Sequence, residues 1–167
     1  GLIEPNEILD AGNSGTTTRL MSGLLAGRPI MTIITGDDSI RSRPMGRVIK
    51  PLRSMGAEIS ARNDGELAPI VFHGGDLHGI EYDMPVASAQ LKSCLLLAGL
   101  RATGNTVIKQ PDVSRDHTER MLEGMGANIE VNGLSVTTSA SELTAADVEV
   151  PGDVSSAAFW IVAAQAG

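Results

Sequence analysis

Met55-Gly56-Ala57-Glu58-Ile59 returns as Met125-Gly126-Ala127-Asn128-Ile129 at an offset of 70 residues, and Leu24-Leu25-Ala26-Gly27 returns as Leu96-Leu97-Ala98-Gly99 at an offset of 72. Both pairs read as the end of a helix, an apolar run stopped by glycine. What surrounds them recurs in the same order. Helices are expected over Thr17 to Ala26, Pro44 to Met55, Ser88 to Ala102 and Thr118 to Met125. Strands are expected over Ile30 to Thr35, Ala57 to Ser60, Pro69 to His73, Gly79 to Asp83, Asn105 to Gln110, Ala127 to Val131 and Leu134 to Thr138, where β-branched and apolar runs lie between Gly, Pro, Asn and Asp. Two cassettes of about 70 residues, each running helix, strand, helix, strand, strand, indicate a repeat-built α/β fold. A third begins at Ser155-Ser156-Ala157-Ala158, with a helix running to the C-terminus.

Composition narrows the partners. The chain has 167 residues, 42% hydrophobic and 20% charged, which places it among globular domains. Aromatic residues make up only 2%, so the core is aliphatic and no stacking platform for nucleic-acid bases is available. A net charge of −7 points the same way and disfavours an anionic membrane. No run approaches the ~18 apolar residues of a membrane helix. Cys94, the single cysteine, lies in an apolar run and packs as a small hydrophobe. The chain starts without Met and stops inside an apparent helix, so it is expected to be an internal piece of a longer polypeptide.

The first cassette opens with Leu9-Asp10-Ala11-Gly12-Asn13-Ser14-Gly15-Thr16-Thr17-Thr18-Arg19, a small polar loop delivered into a helix. Such a turn either cradles an anion on free backbone N–H groups or is an ordinary turn with Ser14 or Thr16 as N-cap. The later cassettes open on Ser88-Ala89-Gln90 and Ser155-Ser156. Related by rotation, the three helix N-termini would converge on one face and give it a positive potential. Arg41 and Arg43 precede the second helix of the first cassette, and Arg115 stands in the matching place of the second. Cations do not suit a helix N-terminus, so their placement suggests anion binding by guanidinium forks; surface pairing with Asp37, Asp38, Asp112 or Asp116 is the plain alternative. His117, beside Asp116 and Glu119, reads as solvated or N-capping, and Lys92 faces either the cleft or the helix surface. His73 and His78 lack metal-ligand spacing, so no metal is assigned. The Thr16-Thr17-Thr18 run lacks the lysine of a nucleotide-binding P-loop.

Together with Gly36-Asp37-Asp38-Ser39-Ile40-Arg41-Ser42-Arg43-Pro44-Met45-Gly46, Ser114-Arg115-Asp116-His117-Thr118 and Pro151-Gly152-Asp153-Val154-Ser155-Ser156-Ala157-Ala158, these motifs resemble the 5-enolpyruvylshikimate-3-phosphate synthases over nearly the whole chain. The Arg-Asp-His-Thr motif is similar to the bacterial forms that tolerate glyphosate. The resemblance implies an enolpyruvyl transferase-like fold, α/β of the α+β kind, of repeated βαβαββ units with buried helices. Residues 1–150 would be the repeat-built substrate domain, and 151–167 the hinge and start of a second. It implies transfer of the enolpyruvyl group from phosphoenolpyruvate to shikimate 3-phosphate, with no cofactor or metal, in a cytoplasmic bacterial enzyme.

Carried over by motif, Gly15, Arg43 and Gln90 would contact phosphoenolpyruvate. Ser88, Ala89, Gln90, Ser114 and Arg115 would hold shikimate 3-phosphate, Ala89 through its backbone alone. Asn13, Thr16, Arg19 and Asp153 would support them. The acid and base residues would come from the rest of the polypeptide, leaving this chain inactive alone. Two alternatives are a UDP-N-acetylglucosamine enolpyruvyl transferase, which uses a cysteine-bearing loop, and a non-catalytic repeat module that binds a protein partner.

Overall fold

The computed structural model describes residues 2–150 and 152–166, so Pro151 of the expected hinge lies outside the described residues. The first unit runs β1 (Leu9–Asp10), α1 (Gly15–Ala26), β2 (Thr32–Thr35), α2 (Asp38–Ser42), α3 (Gly46–Ser54), β3 (Glu58–Ala61), a four-residue turn α4 (Arg62–Gly65) and β4 (Leu67–Gly74). The second runs β5 (Glu81–Asp83), α5 (Ala89–Gly99), β6 (Asn105–Lys109), α6 (His117–Gly124), β7 (Ile129–Asn132) and β8 (Ser135–Ser139).

The repetition read from the sequence is present in the topology. One sheet has the order β1-β2-β4-β3 and the other β5-β6-β8-β7. In each, the first two strands are parallel and the others antiparallel. The expected helices and strands appear with boundaries shifted by a few residues. Three elements were not expected: β1 is only two residues long, α4 falls between two expected strands, and α2 begins at Asp38 in a stretch assigned neither helix nor strand, where the Asp37 carboxylate accepts the Ile40 N–H at 2.9 Å.

α1 and α5 cross at the centre. α5 is buried from Leu91 through Gly99 and carries apolar side chains almost all round, as a helix enclosed on every side must. α1 meets it with small residues. Thr18 and Ser22 are buried, but their hydroxyls donate to the Ser14 and Thr18 carbonyls one turn back. Gly23 lies so close to α5 that a Cβ there would stand 2.1 Å from the Cys94 carbonyl oxygen. The core is aliphatic as expected, with Phe72 its one fully buried aromatic.

Between β8 and α7 (Val154–Ala166) none of the described residues lies in a helix or strand. Phe159, Trp160, Ile161 and Val162 of α7 are exposed. Among the described residues, no helix is long and apolar enough to cross a membrane, and no cluster of three His, Cys, Asp or Glu residues suits a metal.

Candidate functional site

The N-termini of α1 and α5 meet at one end of the crossing. Ser14 caps α1 by accepting the Thr17 N–H at 3.0 Å, and Ser88 caps α5 by accepting the Leu91 N–H at 3.4 Å. Gln90 joins the two: its Oε1 accepts from Arg19 at 2.8 Å, and its Nε2 donates to the Thr16 hydroxyl at 2.7 Å. Both polar ends of one amide from the second repeat are therefore used on α1 of the first. The third N-terminus does not join them. No residue of α7 lines the cavity here, and Asp153 accepts the Ser155 N–H at 2.9 Å and the Ser156 hydroxyl at 2.5 Å, which makes it a local cap of α7.

On the α1 side, Gly12 at φ +54° turns the loop so that its carbonyl accepts the Asp37 N–H at 2.9 Å. Asn13 then bridges, donating to Asp37 at 2.6 Å and accepting from Arg43 at 3.0 Å. Arg43 is also anchored on the Ser39 hydroxyl at 3.0 and 3.2 Å. A Cβ on Gly15 would stand 2.9 Å from an Arg19 guanidinium nitrogen and 3.1 Å from one of Arg43, so two cations press against a helix N-terminus without a side chain between. Neither arginine has a carboxylate within salt-bridge distance among the described residues. The Arg19 guanidinium is held below its ordinary value by burial first, then by the charges of Arg47 and Arg43. Its Nε is buried without a hydrogen-bond partner among the described residues. A cluster of like charges with unspent donors is poised to take an anion.

Arg43 precedes α3 as expected and also closes a helix of its own. It is the C-cap residue of α2, its N–H bonded to the Ile40 and Ser39 carbonyls, where the helix dipole favours a cation. At the end of α2 its charge is well placed, and its contact with Gly15 at the N-terminus of α1 is what singles it out. Arg41 follows the plain alternative, pairing with Asp38 at 2.5 Å. Arg47, in the first turn of α3, escaped notice; its signal was the spacing of four from Arg43.

On the α5 side a cavity of about 360 Å³ is lined by Thr16, Leu20, Ser88, Ala89, Gln90, Ser93, Arg115, His117 and Thr118. Four of the expected shikimate 3-phosphate residues meet in it. Ser114 does not: its hydroxyl donates to Gln110 at 2.5 Å, and it lines a separate cavity of about 520 Å³. His117 is the first residue of α6 and lines the first cavity; Asp116 is the cap position but spends its carboxylate on Arg120 at 2.7 Å. Lys92 takes neither of its expected places, being 1% exposed and paired with Glu119. Burial pushes the Cys94 thiol up to about 12, which removes it as a nucleophile.

A family model described as EPSP synthase (3-phosphoshikimate 1-carboxyvinyltransferase) matches residues 1–166. The chain is 57% identical over 164 residues to the 3-phosphoshikimate 1-carboxyvinyltransferase of Bacillus cereus (strain B4264), covering 98% of this chain and 38% of that protein. It is 55% identical over 166 residues to that of Alkaliphilus metalliredigens (strain QYMF), covering 99% of this chain and 39% of the relative. The solved EPSP synthase from Acinetobacter baumannii superposes with a TM-score of 0.90 at 44% identity, over 97% of this chain and 37% of that one. The chain thus spans under two fifths of the length of these relatives. With the βαβαββ repeats and the motifs at both helix N-termini, the match over nearly its whole length makes this chain a member of the EPSP synthase family.

Proposed function

We propose that this chain supplies one wall of an active site that transfers the enolpyruvyl group of phosphoenolpyruvate to shikimate 3-phosphate. The observation that carries the reading is the Gln90 bridge. It places an arginine-lined N-terminus and a Ser88–Arg115 cavity side by side, as two anionic substrates that must react with each other require. The Gly15 amide end, Arg43 and Gln90 take phosphoenolpyruvate. Ser88, the Ala89 backbone, Gln90 and Arg115 take the phosphorylated ring, and Ser114 acts through its main chain. A ring hydroxyl adds to the enol carbon, and phosphate leaves from the tetrahedral intermediate. Among the described residues the cavity is lined by His117 and by no carboxylate; the carboxylates that move protons come from the rest of the polypeptide. Residues 1–150 form the repeat-built domain, 151–167 lead into the next, and the whole works in the cytoplasm.

The UDP-N-acetylglucosamine enolpyruvyl transferase reading is disfavoured by the buried Cys94 thiol. Grafting this chain into the Bacillus cereus relative in place of the matching segment tests the proposal. Phosphate release from shikimate 3-phosphate and phosphoenolpyruvate is expected, with none from the isolated chain. A folded graft without turnover would overturn it.

A further inference from the structure

Lys92 and Glu119 form the single buried ion pair among the described residues, Nζ to Oε1 2.5 Å, with side chains 1% and 6% exposed. The other carboxylate oxygen, Oε2, is buried with no hydrogen-bond partner among the described residues. A pair left half-satisfied is a poor stabiliser, because desolvating two charges costs more than their attraction returns unless every remaining lone pair is used. The first repeat shows that the architecture does not demand it. The offset that maps Leu96 onto Leu24 maps Lys92 onto Leu20, and the offset that maps Met125 onto Met55 maps Glu119 onto Ile49. Where one repeat has two aliphatic residues, the other has opposite charges.

What distinguishes the second repeat is the segment above the pair. Lys92 Nζ reaches the Ser114 carbonyl at 3.5 Å, a contact at the long end of a hydrogen bond with the ammonium charge facing the carbonyl dipole. The Ser114 hydroxyl is held from its other side by Gln110. Arg115 follows directly and lines the cavity. One step along the same helices, the buried Ser93 and Thr118 hydroxyls share a hydrogen bond of 2.6 Å, and both residues line the cavity too.

We propose that Lys92, fixed by Glu119, is a positioning residue for the cavity: it grips the Ser114 carbonyl from beneath and so sets where the Arg115 guanidinium stands relative to Ser88. That the anion is shikimate 3-phosphate rests on the function proposed above; the positioning itself does not. Lys92→Met alone would strand a bare carboxylate, so the informative variant of the 167-residue chain is Lys92→Met with Glu119→Leu, which gives the second repeat the apolar pair of the first. Its amide spectrum stays dispersed and its urea midpoint does not fall. The Ser114–Thr118 signals move, those of Asn13–Thr18 do not, and the Kd for shikimate 3-phosphate rises about tenfold. Glu119→Gln, of the same size without the charge, raises that Kd in the same direction. Loss of the folded spectrum in the double variant makes the pair structural and overturns the proposal, as do unmoved Ser114–Thr118 signals or an unchanged Kd in either variant. Where the unmodified chain gives no shift with shikimate 3-phosphate, the ligand reading fails, and the Ser114–Thr118 signals still decide the positioning.

Discussion

The two βαβαββ units share strand order and direction, yet their first helices are opposites. α1 is lean, with Gly15, Thr18, Ser22 and Gly23 buried, whereas α5 is filled with Leu91, Cys94, Leu95, Leu96 and Leu97. The repeat offset pairs Gly23 with Leu95. A lean helix against a full one lets the two backbones cross closely, which brings both N-termini to a single rim. The N-termini differ as well. That of α1 is bare at Gly15 and backed by arginines, and that of α5 opens onto a cavity closed by Arg115 and Thr118. The repeated topology thus supplies the scaffold, and the difference between the two first helices gives their N-termini unlike surroundings.

The contrast breaks most readily at Gly23. In Gly23→Ala the new methyl meets the Cys94 carbonyl, a backbone atom that cannot rotate away, so a loss of about 3 kcal/mol or more is expected in urea unfolding. At the corresponding site of the full helix, Leu95→Ala is expected to cost about 2–5 kcal/mol by the opposite cause, a cavity. A cost below about 1 kcal/mol for Gly23→Ala would show that the close crossing is not what holds α1 and α5 in place.

Gly15→Ala is expected to separate binding from folding. Its methyl meets only the ends of two flexible guanidinium groups, so stability should change by less than about 1 kcal/mol while affinity for phosphoenolpyruvate falls about tenfold. Calorimetric titration beside a thermal melt reads both, and a matched loss in the two would deny Gly15 a binding role. The smallest expected difference lies in the caps. Ser14 accepts its N–H at 3.0 Å and bonds the Thr17 hydroxyl at 2.8 Å, whereas Ser88 accepts at 3.4 Å. Ser14→Ala should therefore cost about 1 kcal/mol and Ser88→Ala about half that, a ranking that helix-resolved hydrogen exchange can check.

Much of this was legible in the chain because repeats announce themselves: Leu-Leu-Ala-Gly and Met-Gly-Ala mark helix ends at fixed offsets, and Ser14 and Ser88 mark helix starts. β1 was not legible, since two residues carry no alternation and become a strand only by pairing with Ile34 and Thr35. α2 was hidden because Asp37 and Asp38 favour turns as readily as caps. The burial of Lys92 could not be read from its own helix, where a lone lysine among leucines is equally compatible with a solvated edge; the partner that permits burial, Glu119, lies 27 residues away. Arg43 was chosen for its place before α3; that it also closes α2 was not legible, and its part in the site rests on Gly15 and Asn13.

That each repeat supplies its own anion site, with Gln90 between them, is tested most directly by mapping amide shifts of the chain. Shikimate 3-phosphate is added first, and phosphoenolpyruvate second. The first ligand is expected to move Ser88–Gln90 and Arg115, and the second Gly15, Thr16 and Arg43, with Gln90 responding to both. Two ligands moving one and the same set of amides, or neither moving any at millimolar concentration, would contradict it.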